Sequence, residues 1–153
     1  MIRKFKPSDL EAILELFYDV IHSVGAKYYD QEQINAWVPK EGIDKERWLA
    51  SLSDHITYVA EVEGKIVGFA DMTEKGYIDR MFVHKHFQGK GIARALFKRL
   101  EEDARLLELE ELTTEASIMA KSLAELQGFK IVEKQHKIHR GIEFINYKMA
   151  KKL

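Results

Sequence analysis

A glycine-rich turn that joins a strand-like run to an amphipathic helix constrains this chain more than any other stretch of its sequence. The run at 77–83 is Tyr-Ile-Asp-Arg-Met-Phe-Val, and the turn at 88–93 is Gln-Gly-Lys-Gly-Ile-Ala. The segment that follows repeats apolar residues at helical spacing, at Ile92, Leu96, Phe97, Leu100, Ala104 and Leu107. A strand that turns tightly into a helix indicates an α/β domain.

The residues of this turn favour the binding of an anion. Small side chains at Gly89, Gly91 and Ala93 leave the N–H groups of the first helical turn uncovered. Those N–H groups lie at the positive end of the helix dipole. The turn therefore predicts a site for phosphate or pyrophosphate, to which the side chains of Lys90 and Arg94 add positive charge.

The two common nucleotide-binding motifs do not fit this turn. Arg94 stands where the third small residue of G-x-G-x-x-G would be required, so a dinucleotide site is excluded. A P-loop is excluded because the chain contains no Gly-Lys-Ser or Gly-Lys-Thr. Neither common nucleotide motif therefore explains the turn.

Length and composition exclude several classes of protein. A chain of 153 residues with net charge -1 predicts one domain, 1–153, without the field that would attract nucleic acid or an anionic membrane. It has no cysteine and no apolar run near the ~20 residues that span a bilayer, so we expect a cytoplasmic protein. We expect no metal, because His84 and His86 have no third ligand nearby in the sequence.

Hydrophobic periodicity predicts an alternation of strands and helices along the whole chain. Strands are predicted at 1–6, 56–62, 66–73, 77–83 and 109–115, with two more between 129 and 149 that turn at Arg140-Gly141. Helices are predicted at 10–21, 31–37, 44–52, 92–107 and 118–127, with a break at Pro39 between the second and third. This order predicts an α/β domain with a mixed sheet.

The stretch around the turn resembles motif A of the GNAT acetyltransferase superfamily, Q/R-x-x-G-x-G/A, which Gln88, Gly91 and Ala93 match. Residues 120–129 resemble motif B of the same superfamily, with Gly128-Phe129 at its end. The resemblance implies a GNAT fold, in which a mixed, mostly antiparallel sheet of about seven strands is flanked by helices. In that fold the sheet is splayed between strands 4 and 5.

The resemblance also implies that acetyl-CoA is the acyl donor. Main-chain N–H groups of the turn would hold its pyrophosphate, the fourth strand would pair with its pantetheine, and the first residue of the motif B helix would contact it. Serine stands at that last position, where relatives often have asparagine. The implied cofactor-binding residues are Met81, Phe82, Val83, Gln88, Gly89, Lys90, Gly91, Ile92, Ala93, Arg94 and Ser117.

One departure from the family pattern concerns catalysis. Family members usually have a tyrosine four residues before the terminal glycine of motif B, where it protonates the departing thiolate, and this chain has Ala124. Releasing a thiol of pKa about 8.5 unprotonated at pH 7 costs about 2 kcal/mol, whereas neutralising an amine of pKa about 10.4 costs about 4.6 kcal/mol. A general base for the amine therefore matters more than the missing acid.

Four residues are candidates for proton transfer. We expect Glu115, at the end of the fifth strand, to be the base, with Asp79 as the second choice. Either carboxylate could instead be solvated or salt-bridged. Tyr147 and His139, on the terminal strands, are candidates for a replacement acid, although a tyrosine in a strand commonly serves packing.

The first helices and the last hairpin wall the acceptor site in this superfamily, so His22, Tyr28, Tyr29 and Trp37 are candidates for an aromatic acceptor rim. Simple packing of these rings is the alternative. The predicted activity is direct transfer of an acetyl group to a primary amine on a small molecule or peptide. A non-catalytic acyl-CoA sensor or interaction module is the rival interpretation, and both a monomer and a homodimer remain open.

Overall fold

The computed structural model describes residues 1–38 and 42–153, which form seven strands and five α-helices. The strands form one sheet in the order β1-β2-β3-β4-β5-β7-β6. Only the neighbours β4 and β5 are parallel, and the other pairs are antiparallel. The strands are β1 Ile2–Lys4, β2 Ile56–Val62, β3 Lys65–Met72, β4 Tyr77–Val83, β5 Glu111–Ser117, β6 Lys130–His139 and β7 Ile142–Lys152. The mixed, mostly antiparallel sheet predicted from the resemblance is confirmed.

Helices cover both faces of the sheet because the side chains of each strand alternate between the faces. On β3, Phe69 packs in a cluster with α1, α2 and α3, while its neighbour Ala70 packs in a second cluster with α4 and α5. The helices are α1 Leu10–Ser23, α2 Gln31–Trp37, α3 Lys45–Asp54, α4 Ile92–Leu106 and α5 Lys121–Leu126. The predicted break at Pro39 lies outside the described residues. None of the described helices has the length and apolarity that crossing a bilayer requires.

Short polar motifs in the sequence determine where α2 and α3 begin. At α2 the Asp30 side chain accepts a hydrogen bond from the Gln33 N–H at 2.8 Å, and the Gln33 side chain accepts one from the Asp30 N–H at 3.1 Å. At α3 the Asp44 side chain accepts from the Arg47 N–H at 3.1 Å. Each cap satisfies N–H groups that a short helix cannot satisfy internally.

The sheet opens between β4 and β5, and this opening, which we call the splay, matches the prediction. Pairing between these strands is limited to Tyr77 with Thr113 and Ile78 with Thr114. The Thr114 hydroxyl closes the paired end by donating to the carbonyl oxygen of Ile78 at 2.8 Å. At the next residue, Asp79, an irregularity interrupts the β3–β4 register. From there β4 pairs only with β3, so the main-chain groups on its other edge face the splay.

The predicted bounds of β5 and α5 were wrong by two to three residues. The strand was placed at 109–115 and the helix at 118–127, whereas β5 extends to Ser117 and α5 begins at Lys121. Pairing of Ser117 with Asn146 of β7 holds the strand extended to that point. The Ala120 N–H then donates to the Ser117 carbonyl at 3.0 Å and lies 3.2 Å from its hydroxyl, which forms a turn before the helix. Ser117 therefore ends a strand and does not start the helix.

Helix α4 offers a matched test of the core. Leu100 is fully buried at 0% exposure, whereas Leu106 on the same helix is 81% exposed. Leu100→Ala is expected to lower the free energy of unfolding by about 2–5 kcal/mol, because it deletes buried methyl groups and leaves a cavity. Leu106→Ala should change it by less than about 0.5 kcal/mol. Urea denaturation of both variants checks this, and equal losses would contradict the assigned helix faces.

Candidate active site

The turn after β4 is held open by two glycines in the left-handed region. The Gln88 side chain donates to the carbonyl oxygen of Val83 at 2.6 Å, which fixes the turn to the end of the strand. Gly89 has φ +72° and Gly91 has φ +82°, values that a residue with a side chain adopts only with strain. A Cβ at either position would meet nothing within 4 Å. Glycine at these two positions therefore allows the backbone to turn without strain, and the space beside the turn is open.

The N-terminus of α4 points its N–H groups into that space. Gly91 is the N-cap residue and provides no side-chain cap, and the first turn contains no acidic residue. Lys90 lies beside the turn, with its Nζ 5.4 Å from the centre of the Phe87 ring. Uncapped donors, the helix dipole and adjacent cations together suit a bound pyrophosphate.

A cavity of about 280 Å³ fills the splay. It is walled by β4, by β5 and by the segment that enters α5, with Phe17, Trp37 and Trp48 at one side. Its lining residues from β4 and β5 are Ile78, Asp79, Arg80, Met81, Phe82, Thr114, Glu115, Ala116 and Ser117. Of the predicted cofactor residues it thus brings together Met81, Phe82 and Ser117. Val83 is buried next to them at the end of β4.

Helix α5 carries an alanine where family members usually have a tyrosine, and this small side chain faces the splay. Ala124 is 2% exposed and lines the cavity together with Ala120 and Leu123. Ala124 also packs in the same buried cluster as Phe97 and Phe129. The residues of α5 and its N-cap that line this wall, Ala120, Leu123 and Ala124, carry no side-chain group that could donate a proton to a leaving thiolate.

A second cavity, of about 290 Å³, adjoins the splay on the side of α2 and the β6–β7 hairpin. Trp37, Glu115 and Ser117 line both cavities. The remaining lining residues are Tyr29, Lys137, His139, Phe144, Ile145 and Asn146. The two cavities therefore meet at one carboxylate, that of Glu115.

The four residues predicted for the acceptor rim do not lie together. Tyr29 and Trp37 line the second cavity, with their ring centres 5.3 Å apart. His22 instead stacks on Tyr18 at 4.0 Å and bonds through Nδ1 to the Tyr18 carbonyl oxygen at 2.8 Å. It follows the fully buried Ile21 on α1 and so points away from the sheet. Tyr28 is exposed and lines a neighbouring hollow beside Tyr29.

The two candidate bases differ in their surroundings. Glu115 is 34% exposed in its side chain and lies 3.9 Å from the Nζ of Lys137. Asp79 lines the splay but not the second cavity. Partial burial, together with the negative charge of Asp71, raises the pKa of Asp79. Burial and the nearby Glu115 and Asp79 charges raise the pKa of Tyr77 to about 12, so this phenol stays protonated at neutral pH.

A buried ionic network beside Asp79 was missed by the sequence analysis. Asp71, fully buried on β3, binds the Arg80 guanidinium at 2.5 Å and His55 Nδ1 at 2.8 Å. Arg80 also bonds to the Ser51 hydroxyl and lies 4.5 Å from the centre of the Trp48 ring. An acidic residue inside the apolar run of β3, next to a strand that carries an arginine, was the available signal.

This network also bears on metal binding. His55, Asp71 and Asp79 present possible ligand atoms within 4.8 Å of one another. The Arg80 guanidinium already lies against the Asp71 carboxylate and 3.8 Å from Asp79, so these carboxylates have a cation as partner within the protein. We therefore interpret the group as structural.

The two candidate acids are placed on different sides of the sheet. Tyr147 packs against the cluster shared with α5, 5.1 Å from the Nζ of Lys121, and does not line either cavity. His139 lines the second cavity, 6.3 Å from the ring of Phe144. Because the side chains of β7 alternate, Tyr147 faces away from Asn146 and from that cavity.

Comparison with known proteins agrees with this geometry. A family model for the acetyltransferase (GNAT) domain matches residues 26–151. The chain belongs to the GNAT acetyltransferase family. This GNAT acetyltransferase is 34% identical over 151 residues to the uncharacterized N-acetyltransferase YafP of Escherichia coli K12, covering 99% of this chain and 95% of that protein. It is 29% identical to the peptidyl-lysine N-acetyltransferase YiaC of the same organism, covering 87% and 85%.

Solved structures show the same GNAT fold. A GCN5-related N-acetyltransferase from Rhodopseudomonas palustris superposes with a TM-score of 0.93 at 27% identity, covering 100% of this chain and 95% of that one. The PaiA N-acetyltransferase from Thermoplasma acidophilum, solved in complex with coenzyme A, has a TM-score of 0.79 at 22% identity, covering 100% and 98%. The family and fold predicted from motifs A and B are confirmed.

The His55–Asp71 contact predicts a pH dependence of stability. The hydrogen bond to Asp71 raises the pKa of His55 in the folded protein above its ordinary value near 6.5. Its stabilising contribution is therefore complete below about pH 6.5 and is lost as pH rises through the folded pKa. The free energy of unfolding of wild type should exceed that of His55→Gln most at pH 5.5, with the difference shrinking towards pH 9. Urea titrations across this range test it, and a constant difference would refute it.

Proposed function

We propose that this GNAT acetyltransferase transfers the acetyl group of acetyl-CoA directly to the nitrogen of a primary amine while both are bound. The observation that carries the proposal is the meeting of the two cavities at Glu115. The splay exposes the main chain of β4, where the thioester arm of acetyl-CoA would bind. The second cavity would hold an amine next to the Glu115 carboxylate. Such an arrangement replaces a bimolecular encounter by a positioned one.

The donor would be held mainly by main chain. N–H groups of the turn from Gly89 to Arg94 would bind the pyrophosphate, with added charge from Lys90 and Arg94. The edge of β4 at Met81 to Val83 would pair with the pantetheine as an additional strand does. The free main-chain edge of β4 beyond Ile78 supports this placement. The Ser117 hydroxyl, at the far wall, would supply a further hydrogen bond.

The chemical step requires that the amine be neutral. Glu115 would accept a proton from the bound ammonium, and the freed nitrogen lone pair would attack the thioester carbonyl carbon. The carbon–nitrogen bond forms, the oxyanion accepts hydrogen bonds from β4 main-chain N–H groups, and the nitrogen loses its second proton to solvent as the carbon–sulfur bond breaks. The thiolate takes its proton from solvent, a requirement that costs only about 2 kcal/mol at pH 7 for a thiol of pKa about 8.5.

The pyrophosphate site can be tested at Gly91 with two nearly isosteric variants. Asn and Asp both tolerate the left-handed conformation, and a Cβ there has open space. Gly91→Asp adds a negative charge next to the ligand, so its Kd for CoA should be at least about tenfold higher than that of Gly91→Asn. The Kd for pantetheine, which lacks the pyrophosphate, should be the same in both. Calorimetry measures these constants, and equal CoA affinities in both variants and wild type would remove the proposed site.

The general base can be tested by amine-dependent thiol release from acetyl-CoA. Glu115→Gln should lower kcat/KM by about 10² to 10⁴ at neutral pH, because the variant depends on the small fraction of amine that is already neutral, and the loss should shrink as pH rises towards the pKa of the amine. Asp79→Asn removes the same charge from the splay without touching the second cavity, so it is the matched control.

The outcomes separate the alternatives. An unchanged rate of Glu115→Gln across pH would show that Glu115 is not the base, and a large loss in Asp79→Asn alone would give the role to Asp79. Tight CoA binding without thiol release for any amine in a broad panel would instead favour a non-catalytic acyl-CoA sensor.

A further inference from the structure

Side chains of three neighbouring strands converge on the second cavity from one face of the sheet. The register pairs Ser117 with Asn146 and Asn146 with Gln135, and the next facing pair is Phe144 with Lys137. Paired residues share a face, so β5, β7 and β6 present their side chains to the same space. Helix α2 covers this face, with the Gln33 side chain donating to the Glu143 carbonyl oxygen at 3.1 Å.

Three aromatic rings line the apolar part of this cavity. Tyr29 lies 5.3 Å from Trp37 and 5.8 Å from Phe144, and Trp37 lies 6.1 Å from Phe144, measured between ring centres. All three pairs meet edge to face and all three rings line the cavity, so together they form one apolar surface on its wall. We call these three residues the aromatic box. It suits a flat or branched apolar group.

An ion pair lies beside the aromatic box. The Lys137 ammonium is 3.9 Å from the Glu115 carboxylate, and both side chains are partly exposed, 47% and 34%. An exposed pair at this distance contributes little to stability, so its partners can exchange for others at little cost. Opposite charges at one end of an apolar cavity offer both a carboxylate and an ammonium to a ligand.

We infer, on the basis of the proposed function, that the acceptor is a free α-amino acid with an apolar or aromatic side chain. Its ammonium takes the place of the Lys137 ammonium at Glu115, and its carboxylate binds the displaced Lys137. Amine and carboxylate of an α-amino acid are attached to one carbon, and the charges of Glu115 and Lys137 are similarly close, 3.9 Å apart. The side chain occupies the cavity and packs against the aromatic box.

Lys137 discriminates against other amines. A monoamine, or the side chain of a lysine in a peptide, brings a positive charge to Lys137 without a carboxylate to compensate it. When such an acceptor binds to Glu115, it displaces the Lys137 ammonium and leaves that ammonium next to the positively charged amine. The free carboxylate is therefore the specificity-determining group of the acceptor.

The test compares amino acids with their decarboxylated counterparts. Phenylalanine and 2-phenylethylamine share the ring and the amine, and leucine and 3-methylbutylamine form a second pair. Wild type should show kcat/KM at least tenfold higher for each amino acid than for its counterpart. Lys137→Met should lose at least tenfold for the amino acids and leave the monoamines unchanged or better, whereas Lys137→Arg keeps the preference. Lys134→Met, on the opposite face of the same strand, should change neither.

Three results would overturn the inference. Wild type could acetylate a monoamine or a lysine-containing peptide better than any free amino acid, which leaves acyl transfer intact but removes this acceptor class. An amino-acid preference that Lys137→Met leaves unaltered would remove the role of Lys137. If no amine of any class releases thiol from bound acetyl-CoA, the proposed function itself fails, and the inference fails with it.

Discussion

The early end of pairing between β4 and β5 is the constraint on which the site depends. Two residue pairs hold these strands together at Tyr77 and Ile78, and the irregularity at Asp79 then lets them diverge. A continuous ladder here would satisfy the β4 edge with β5 and leave no main chain for a ligand. The same divergence turns Glu115 towards the splay and the second cavity at once. The splay and the second cavity thus share Glu115 as a lining residue.

The buried network of Asp71, Arg80 and His55 lies beside that opening. Burying the Asp71 carboxylate without partners would be prohibitive, so the pairing with Arg80 and His55 is a condition of the fold. Arg80 in turn lies over Trp48, which lines the splay. The ion pairs of Arg80 therefore help to position Trp48 in the wall of the splay.

Sequence reasoning succeeded where the type of a residue by itself determines the local backbone conformation. Gly91 adopts the left-handed conformation and stands, without a side-chain cap, at the start of α4, where the turn into this helix was predicted. It failed where contacts between residues far apart in the sequence determine the position of a residue. Ser117 belongs to β5 because it pairs with Asn146, and His22 points outward because Ile21 takes the buried position on α1.

By itself the sequence determined the family, the order of the elements and the position of the glycine-rich turn, because these follow from local periodicity, glycine conformation and a contiguous motif. Only the tertiary structure decided which side chains meet. Glu115 and Lys137 lie 22 positions apart in the numbering, and Tyr29 and Phe144 come from opposite ends of the chain, yet all four line one cavity. Their contact depends on the β5-β7-β6 register and on α2 packing over it, which no local pattern encodes.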